Sequence, residues 1–504
     1  MHKWEASLSV KPNTYRGLVG IIITILLSFS SCQPLDKKVG ELGSVEDNAA
    51  WSEPPPPPEP VELDLTLIKE RGVLKAIINN SSTSYFVYKG QPMGYEFDLL
   101  TRFAEHIGLK LELVVTPDIE NAFRSLNAGE GDLIAYNLTI TKERIQRVAF
   151  ADHSMLVKQV LVQKRPDNWR KMKLHEIERT MLRNPVDLIG KKVNVKKNSS
   201  HAARLRNLSE EIGGDILILE DFGDVQSETL IKRVADGEIQ FTVADENVAL
   251  VNATYYPDLD VKTPVSFSQK IAWAVRKNAP LLLNEINKWL AAMKKRPAYY
   301  TIYNKYFKNT KATSKRAKDD FGSLSQNRIS KYDDLIKEAA DSLDWDWRLL
   351  ASQMFQESRF EPTAKSWAGA RGLMQIMPAT GKSFGVTNLN NPELNIKAGY
   401  RYLQWLEKYW MNKVKDPEER LKFMLASYNV GQGHVDDARR LAEKYRRNPN
   451  VWSDNVEYFV LKKSHPRYYR DPVVRYGYCR GEEPVKYVKS ILNRYEQYKN
   501  LINA

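Results

Sequence analysis

The stretch Gln356 to Pro378, QESRFEPTAKSWAGARGLMQIMP, holds the side chain best suited to acid–base chemistry. Leu350, Met354 and Glu357 fall at i, i+4 and i+7 of a helix-period segment, so they share one face. Ala351 and Phe355 cover another side, which predicts a helix that is apolar nearly all round and buried. A carboxyl that extends an apolar stripe is desolvated, and desolvation favours its neutral form and raises its pKa. That is the form a general acid near neutral pH requires. The bland alternative is a helix-end glutamate that turns into water. Sugar-cleaving enzymes generally carry a second carboxylate, and Glu361 lies four residues on. Pro362 disfavours helix at Glu361, which therefore reads as an ordinary helix-end carboxylate.

Three later segments could complete a site around Glu357. GARGLMQIMP (Gly369 to Pro378) sets glycines where backbone can approach a ligand, followed by Gln375, which both donates and accepts. LKFMLASYNVGQG (Leu421 to Gly433) places Leu421, Met424, Leu425 and Tyr428 at helical spacing and breaks at Asn429 and Gly431. Tyr428 sits on the core-facing stripe, so its hydroxyl needs a buried partner or a ligand. EEPVKYVKSILNRY (Glu482 to Tyr495) supplies Tyr487.

The order Glu-Ser, Gly-Leu-Met-Gln, Ser-Tyr-Asn and a late Tyr-Val resembles the lytic transglycosylases of the soluble type, the goose-lysozyme-like SLT domain. The resemblance implies a mostly α, lysozyme-like domain with Glu357 as the single catalytic acid/base. Ser358, Gln375, Met377, Tyr428, Asn429 and Tyr487 would bind substrate, and Ser427 stands where Ala is commoner. It also accounts for the missing second carboxylate. Such enzymes cleave the MurNAc–GlcNAc β-1,4 bond of peptidoglycan without water, and the 6-hydroxyl of MurNAc is the nucleophile. Glu357 would protonate the leaving oxygen and then take the 6-hydroxyl proton as the 1,6-anhydro ring closes. Attack from within the same sugar gains effective molarity. A lysozyme-like hydrolase, or a murein-binding sensor without activity, is the alternative.

The elements upstream alternate in type. Val73 to Ile78, Leu109 to Val115 and Asp132 to Thr139 read as strands, with an amphipathic helix from Tyr95 to Gly108 and another near Glu120. A second set follows at Lys191 to Lys197, Asp215 to Leu219 and Ile239 to Asp245. This pattern predicts two α/β lobes with largely parallel sheets and a ligand cleft between them. GYEFDLL (Gly94 to Leu100) and NLTITKERIQRVAFAD (Asn137 to Asp152) resemble motifs of the periplasmic solute-binding proteins of the amino-acid type. The resemblance implies that Asn137 and Thr139 face a ligand, Arg144 clamps an α-carboxylate, and Asp245 receives an α-amino group. Ser199 and Ser200 lie at the family's Gly-Ser turn, with Asn198 replacing the usual Gly. An Arg fork matches a carboxylate bidentately, and an opposing Asp neutralises an ammonium. Arg144 and Asp245 as surface charges of a vestigial binding fold is the plainer reading.

At 504 residues the chain exceeds one hydrophobic core. The apolar run Leu18 to Phe29, about a dozen residues after Lys3, Lys11 and Arg16, suits a signal-peptide core better than a membrane span. It ends in FSSC at Cys32, which resembles a bacterial lipoprotein box. That resemblance implies cleavage before Cys32 and its lipidation, and Gln33 then implies passage to the outer membrane. EPPPPPEP (Glu53 to Pro60) reads as a semi-rigid spacer. The expected organisation is a signal peptide at 1–31, a lipidated Cys and tether at 32–62, a solute-binding-like module at 63–308, a linker at 309–326 and the SLT domain at 327–504. The net charge of +13 favours anionic partners, but the basic residues are scattered and no nucleic-acid-reading motif occurs. The histidines lack paired-ligand spacing, so neither a metal nor a cofactor is expected, and Cys479 reads as a packed thiol. The pairing of modules on one lipidated chain resembles the membrane-bound lytic transglycosylases of the F type. Peptidoglycan glycan strands are then the expected partner. An amino acid, stem peptide or muropeptide would be the effector of the N-terminal module.

Overall fold

The computed structural model describes residues 58–502 apart from 117, 222–224 and 318–327. Cys32 and most of the tether lie outside the described residues. The last tether residues dock on the first module, where the Val61 N–H donates to the Asn127 carbonyl at 3.0 Å and the Asn278 amide to the Val61 carbonyl at 3.2 Å.

The first module has two lobes, each built on a five-stranded sheet. In the first lobe Val73–Ile78 runs parallel to Lys110–Val115 and Leu133–Ile134, while Ala274–Val275 and Ala149–Phe150 extend the sheet antiparallel. In the second, Lys192–Lys196 runs parallel to Leu217–Asp221 and Phe241–Asp245, and Gln159–Lys164 and Leu259–Pro264 add antiparallel partners. The sheets are therefore mixed, not largely parallel as the alternation suggests. Gln159–Lys164 and Ala274–Val275 lie where the chain crosses between lobes, and a strand that enters without a helical crossover is free to run antiparallel. The strand expected from Asp132 to Thr139 shortens to Leu133–Ile134, and the one expected at Asp215 to Leu219 forms at Leu217–Asp221. The helix Tyr95–Ile107 forms as its apolar period predicts, buries Leu99, Leu100 and Phe103, and stops at Gly108 with φ +73°.

The segment expected to be a linker carries a helix, Thr310–Ala317. The Asn309 side chain accepts from the Ala312 N–H at 3.0 Å, and the helix packs on Glu246–Tyr255 of the second lobe. A local cap and a distant partner set this helix, and neither leaves a hydrophobic period in the sequence.

The second module is helical. Its acid helix, Trp347–Ser358, begins where the Asp346 carboxylate accepts from the Arg348 N–H at 2.9 Å and ends at Arg359 in the left-handed region. The C-terminal helix, Glu482–Leu501, lies along it, and the Ser352 hydroxyl donates to the Ile491 carbonyl at 2.7 Å.

The two modules share one hydrophobic core. A hairpin of the first lobe, Phe86–Tyr88 with Gln91–Met93, points its turn at the acid helix. Gly90, with φ +73°, sits so close that an added Cβ would lie 2.5 Å from Phe360, 2.7 Å from Phe355 and 2.8 Å from the Tyr498 hydroxyl. That hydroxyl donates to the Gly90 carbonyl at 2.5 Å, and the Asn500 amide donates to the Leu113 carbonyl at 3.2 Å. Glycine alone suits both the dihedral and the space. Replacing Gly90 by Ala should therefore destabilise the protein by about 1–3 kcal/mol, read as a lowered melting temperature of the full chain.

Candidate active site

Glu357 occupies the last turn of the acid helix, one residue before its end. Leu350 and Met354, which precede it on the same face, are fully buried, so the carboxyl continues an apolar stripe as the periodicity predicts. Burial pushes its pKa up to about 8, and the opposing influence is a hydrogen bond from the Tyr487 hydroxyl. The acid is therefore protonated at neutral pH and held on the edge of ionisation.

Tyr487 projects from the C-terminal helix and is itself buried. Its oxygen accepts from the Gln353 amide at 3.3 Å while its proton goes to Glu357 Oε1. Burial and the nearby Glu357 and Tyr428 raise the Tyr487 pKa far above the phenol range, so it acts as a fixed neutral donor. Gln353 lies one turn before Glu357 on the acid helix, is fully buried, and leaves its Oε1 without a partner among the described residues. It had no place in the sequence reading. An amide inside an otherwise apolar run, at i−4 from the acid, is the signal that marks it.

Tyr428, near the end of the helix Pro417–Val430, donates to the Met374 carbonyl at 2.8 Å. Burial first and then Glu357 raise its pKa well above normal. The expected partner for its hydroxyl is thus a backbone carbonyl of the Gly-Leu-Met-Gln loop. Ser427 is fully buried and accepts from Trp410 Nε1 at 3.0 Å. The hydroxyl at this position does more than fill space, because without it a buried indole N–H would lose its acceptor. Asn429, next in sequence, is exposed.

The Gly-Leu-Met-Gln loop is held from within. Asn395, fully buried, accepts from the Met374 N–H at 2.7 Å and donates to the carbonyls of Arg371 at 2.9 Å and Leu389 at 2.8 Å. A Cβ on Gly372 would lie 2.2 Å from Asn395 Nδ2 and 2.3 Å from the Leu389 carbonyl. The close approach served by this glycine is to Asn395 and not, as the sequence suggested, to a ligand. Gln375 donates to the carbonyls of Ala364 at 3.1 Å and Gly372 at 2.9 Å, so its amide closes the loop. Ser358 donates to the Leu373 carbonyl at 2.7 Å and joins the acid helix to the same loop. Met377 is exposed at the loop's end. Glu361 is exposed, accepts from the Thr363 hydroxyl at 2.6 Å and backbone at 3.2 Å, and stays below the usual carboxylate range through those bonds. It does not join Glu357 in a pair.

The cleft of the first module encloses a cavity of about 130 Å³ lined by Asn137, Arg144, Ser199, Ser200, His201 and Asp245, among others. Arg144 donates to the Thr139 carbonyl at 3.0 Å, and burial lowers its pKa. Thr139 itself is buried and does not line the cavity; its backbone steadies the Arg144 fork. Ser199 caps the helix Ser200–Ile212 by accepting from the Ala202 N–H at 3.2 Å, and the Ser200 hydroxyl accepts from Gln159 at 3.3 Å. Asn198 has φ +57°, the conformation that a glycine would adopt freely. Bonds cross the cleft: Asn137 donates to Asp245 at 2.6 Å, and both the backbone N–H and hydroxyl of Ser82 donate to Glu228 at 3.0 Å. His201 Nε2 lies 3.4 Å from Asp245. Glu228 and His201 carry no motif, and only the folding of two lobes onto each other brings them to the site.

Loss of the Tyr487 donor has a signed consequence. A carboxylic acid donates a proton only while protonated, so any activity that draws on the Glu357 proton should fall as pH rises through about 8. Tyr487 lowers that pKa by stabilising the carboxylate. A Tyr487→Phe protein should show a lower kcat and an alkaline limb displaced to higher pH in its activity profile.

Two family models match the chain: bacterial extracellular solute-binding proteins, family 3, over residues 74–309, and the transglycosylase SLT domain over residues 334–451. A membrane-bound lytic murein transglycosylase F from Desulfosudis oleivorans is 36% identical over 432 residues, covering 86% of this chain and 91% of the relative. A protein of the same name from Pseudomonas putida is 33% identical over 433 residues, covering 86% of each. Among solved structures, a mutant of ArgBP from T. maritima is 26% identical with a TM-score of 0.41, covering 48% of this chain and 99% of that one.

Proposed function

Because the chain belongs to the family of membrane-bound lytic murein transglycosylases F, we propose that Glu357 is the sole acid/base of its active site. The protein is a lytic transglycosylase whose substrate is peptidoglycan. The observation that carries the assignment is the half-buried Glu357 carboxyl with its pKa raised to about 8 and the Tyr487 hydroxyl as its hydrogen-bond donor.

In this reading the Glu357 proton passes to the oxygen that links MurNAc to GlcNAc, and the C1–O bond breaks. The MurNAc 6-hydroxyl attacks C1, its proton returns to Glu357, and a 1,6-anhydro ring closes. Atoms balance without water, and the carboxyl ends as it began. The carboxylate present between the two transfers is stabilised by the Tyr487 donor, which costs no reorganisation because Gln353 and the C-terminal helix already hold the ring. A group with pKa near 8 gives up a proton and recovers it at small cost near neutral pH. Ser358, Gln375, Met377, Tyr428, Asn429 and Tyr487 form the substrate-binding surround, several of them by fixing the loop that backs the acid.

The first module serves as an effector site for a zwitterion such as an amino acid, a stem peptide or a muropeptide. Arg144 and the N-terminus of the helix Ser200–Ile212 suit a carboxylate, and Asp245 an ammonium. Occupancy would bias the lytic module through the hairpin turn at Gly90, provided the ligand binds two states of the enzyme differently. Cys32 is the lipid attachment point, which places the enzyme at the outer membrane facing the periplasm.

Replacing Glu357 by Gln should reduce turnover of purified sacculi by at least about a hundredfold while the protein remains folded. Mass spectrometry of wild-type digests should find 1,6-anhydroMurNAc ends; reducing MurNAc as the sole product would assign a lysozyme-like hydrolase instead. In calorimetry on the full chain, stem peptides or amino acids should bind at or below millimolar concentration, and Arg144→Ala should abolish the heat. Silence from the wild-type protein across that set would remove the effector role.

A further inference from the structure

Gln353 stands on the acid helix one turn before Glu357, fully buried, and its amide N–H donates to the Tyr487 oxygen at 3.3 Å. Tyr487 in turn donates to Glu357 Oε1. Amide, phenol and carboxyl therefore form one directed chain, with both donors pointing toward the acid. The rest of the amide is poorly served. Leu349, Leu350, Ala351 and Met354 around it on the helix are buried apolar residues, and its Oε1 has no partner among the described residues. A buried carbonyl without a donor costs stability, so a side chain kept for packing alone would be apolar at this position. Methionine has nearly the same length and would leave nothing unpaired there.

We propose that Gln353 is a positioning residue for the reaction, whose amide aims the Tyr487 proton at Glu357 and strengthens that hydrogen bond when the carboxyl ionises. The inference rests on the assignment of Glu357 as the acid. It goes beyond it by giving the charge that appears between the two proton transfers two donors in series. With the amide N–H on the phenol oxygen, the phenol proton is left for Glu357 Oε1, and the carboxyl's own proton resides on Oε2, free for the leaving oxygen. A hydroxyl that receives a hydrogen bond is polarised and becomes a better donor, more so in a low-dielectric interior. Burial holds the Tyr487 phenol far above its ordinary range, and the Gln353 bond pulls it back toward acidity, which has the same sense. Being fully buried, Gln353 reaches no substrate and acts through Tyr487 alone. The titratable groups coupled to Glu357 are Tyr487 and Tyr428, both held as neutral phenols, so an alkaline limb reports the acid itself.

The test compares Gln353→Met, Tyr487→Phe and the double variant on solubilised peptidoglycan strands across pH. Gln353→Met should lower kcat about two- to fourfold with KM unchanged. It should also displace the alkaline limb to higher pH, as Tyr487→Phe does but by less, because weaker support for the carboxylate favours the protonated acid. Once Tyr487 is Phe no phenol remains to be polarised, and adding Gln353→Met should change neither kcat nor the limb. Its melting temperature should equal or exceed that of the wild type, since the unpaired carbonyl is gone, and Gln353→Leu should behave alike. An unmoved limb, or an equal loss with and without Tyr487, overturns the proposal and leaves Gln353 a packing residue. Sacculi still digested by Glu357→Gln protein would instead overturn the assignment of the acid, whatever Gln353 does.

Discussion

A carboxyl kept from water with a phenol, not a cation, as its partner is the constraint on which the lytic module is built. Had an Arg or Lys faced Glu357, Coulomb attraction would have offset the burial and left a permanent carboxylate. Tyr487 offers a hydrogen bond without a charge, so the acid stays protonated yet can ionise. Keeping that balance requires the C-terminal helix to lie along the acid helix, which the Ser352–Ile491 bond fixes. It also requires the loop behind the acid to be rigid, which falls to Asn395, Gln375, Ser358 and Tyr428. Many of the residues around the carboxyl thus hold other protein atoms, and their contribution to chemistry is to keep one proton in place.

A single acid also simplifies the electrostatics. Two carboxylates in one pocket would repel when ionised and push one pKa upward at the expense of the other. With Glu361 turned out to Thr363 and to solvent, the Glu357 pKa is set by burial and one donor alone. In the proposed mechanism the nucleophile arrives on the substrate, so the protein need not desolvate a second charge.

How much of this was legible in the sequence varies with the range of the interactions involved. Glu357 could be read because its neighbours at one and two turns are apolar, which is local information. The strands and the helix Tyr95–Ile107 were legible for the same reason. What could not be read depends on contacts made far along the chain. Asn395 reaches back to Met374, and Ser427 meets Trp410 on another helix. The antiparallel strands of each sheet follow from where the chain crosses between lobes, and the helix Thr310–Ala317 owes its place to Glu246–Tyr255. Gln353 was visible as an amide in an apolar run, but its purpose appears only once Tyr487, on the last helix, is beside it.

Gly90 carries a consequence for the history and handling of the chain. Its backbone is pressed against Phe355 and Phe360, which flank the acid by two and three residues, and its carbonyl is claimed by Tyr498. In a solute-binding protein on its own Gly90 would serve only the left-handed turn of its hairpin, and a lytic domain on its own would leave two phenylalanines beside its acid facing water. The two halves therefore meet backbone against ring at the tip of that hairpin. Cutting between them would expose Phe355 and Phe360 on one side of the acid helix and leave the Tyr498 hydroxyl without the Gly90 carbonyl.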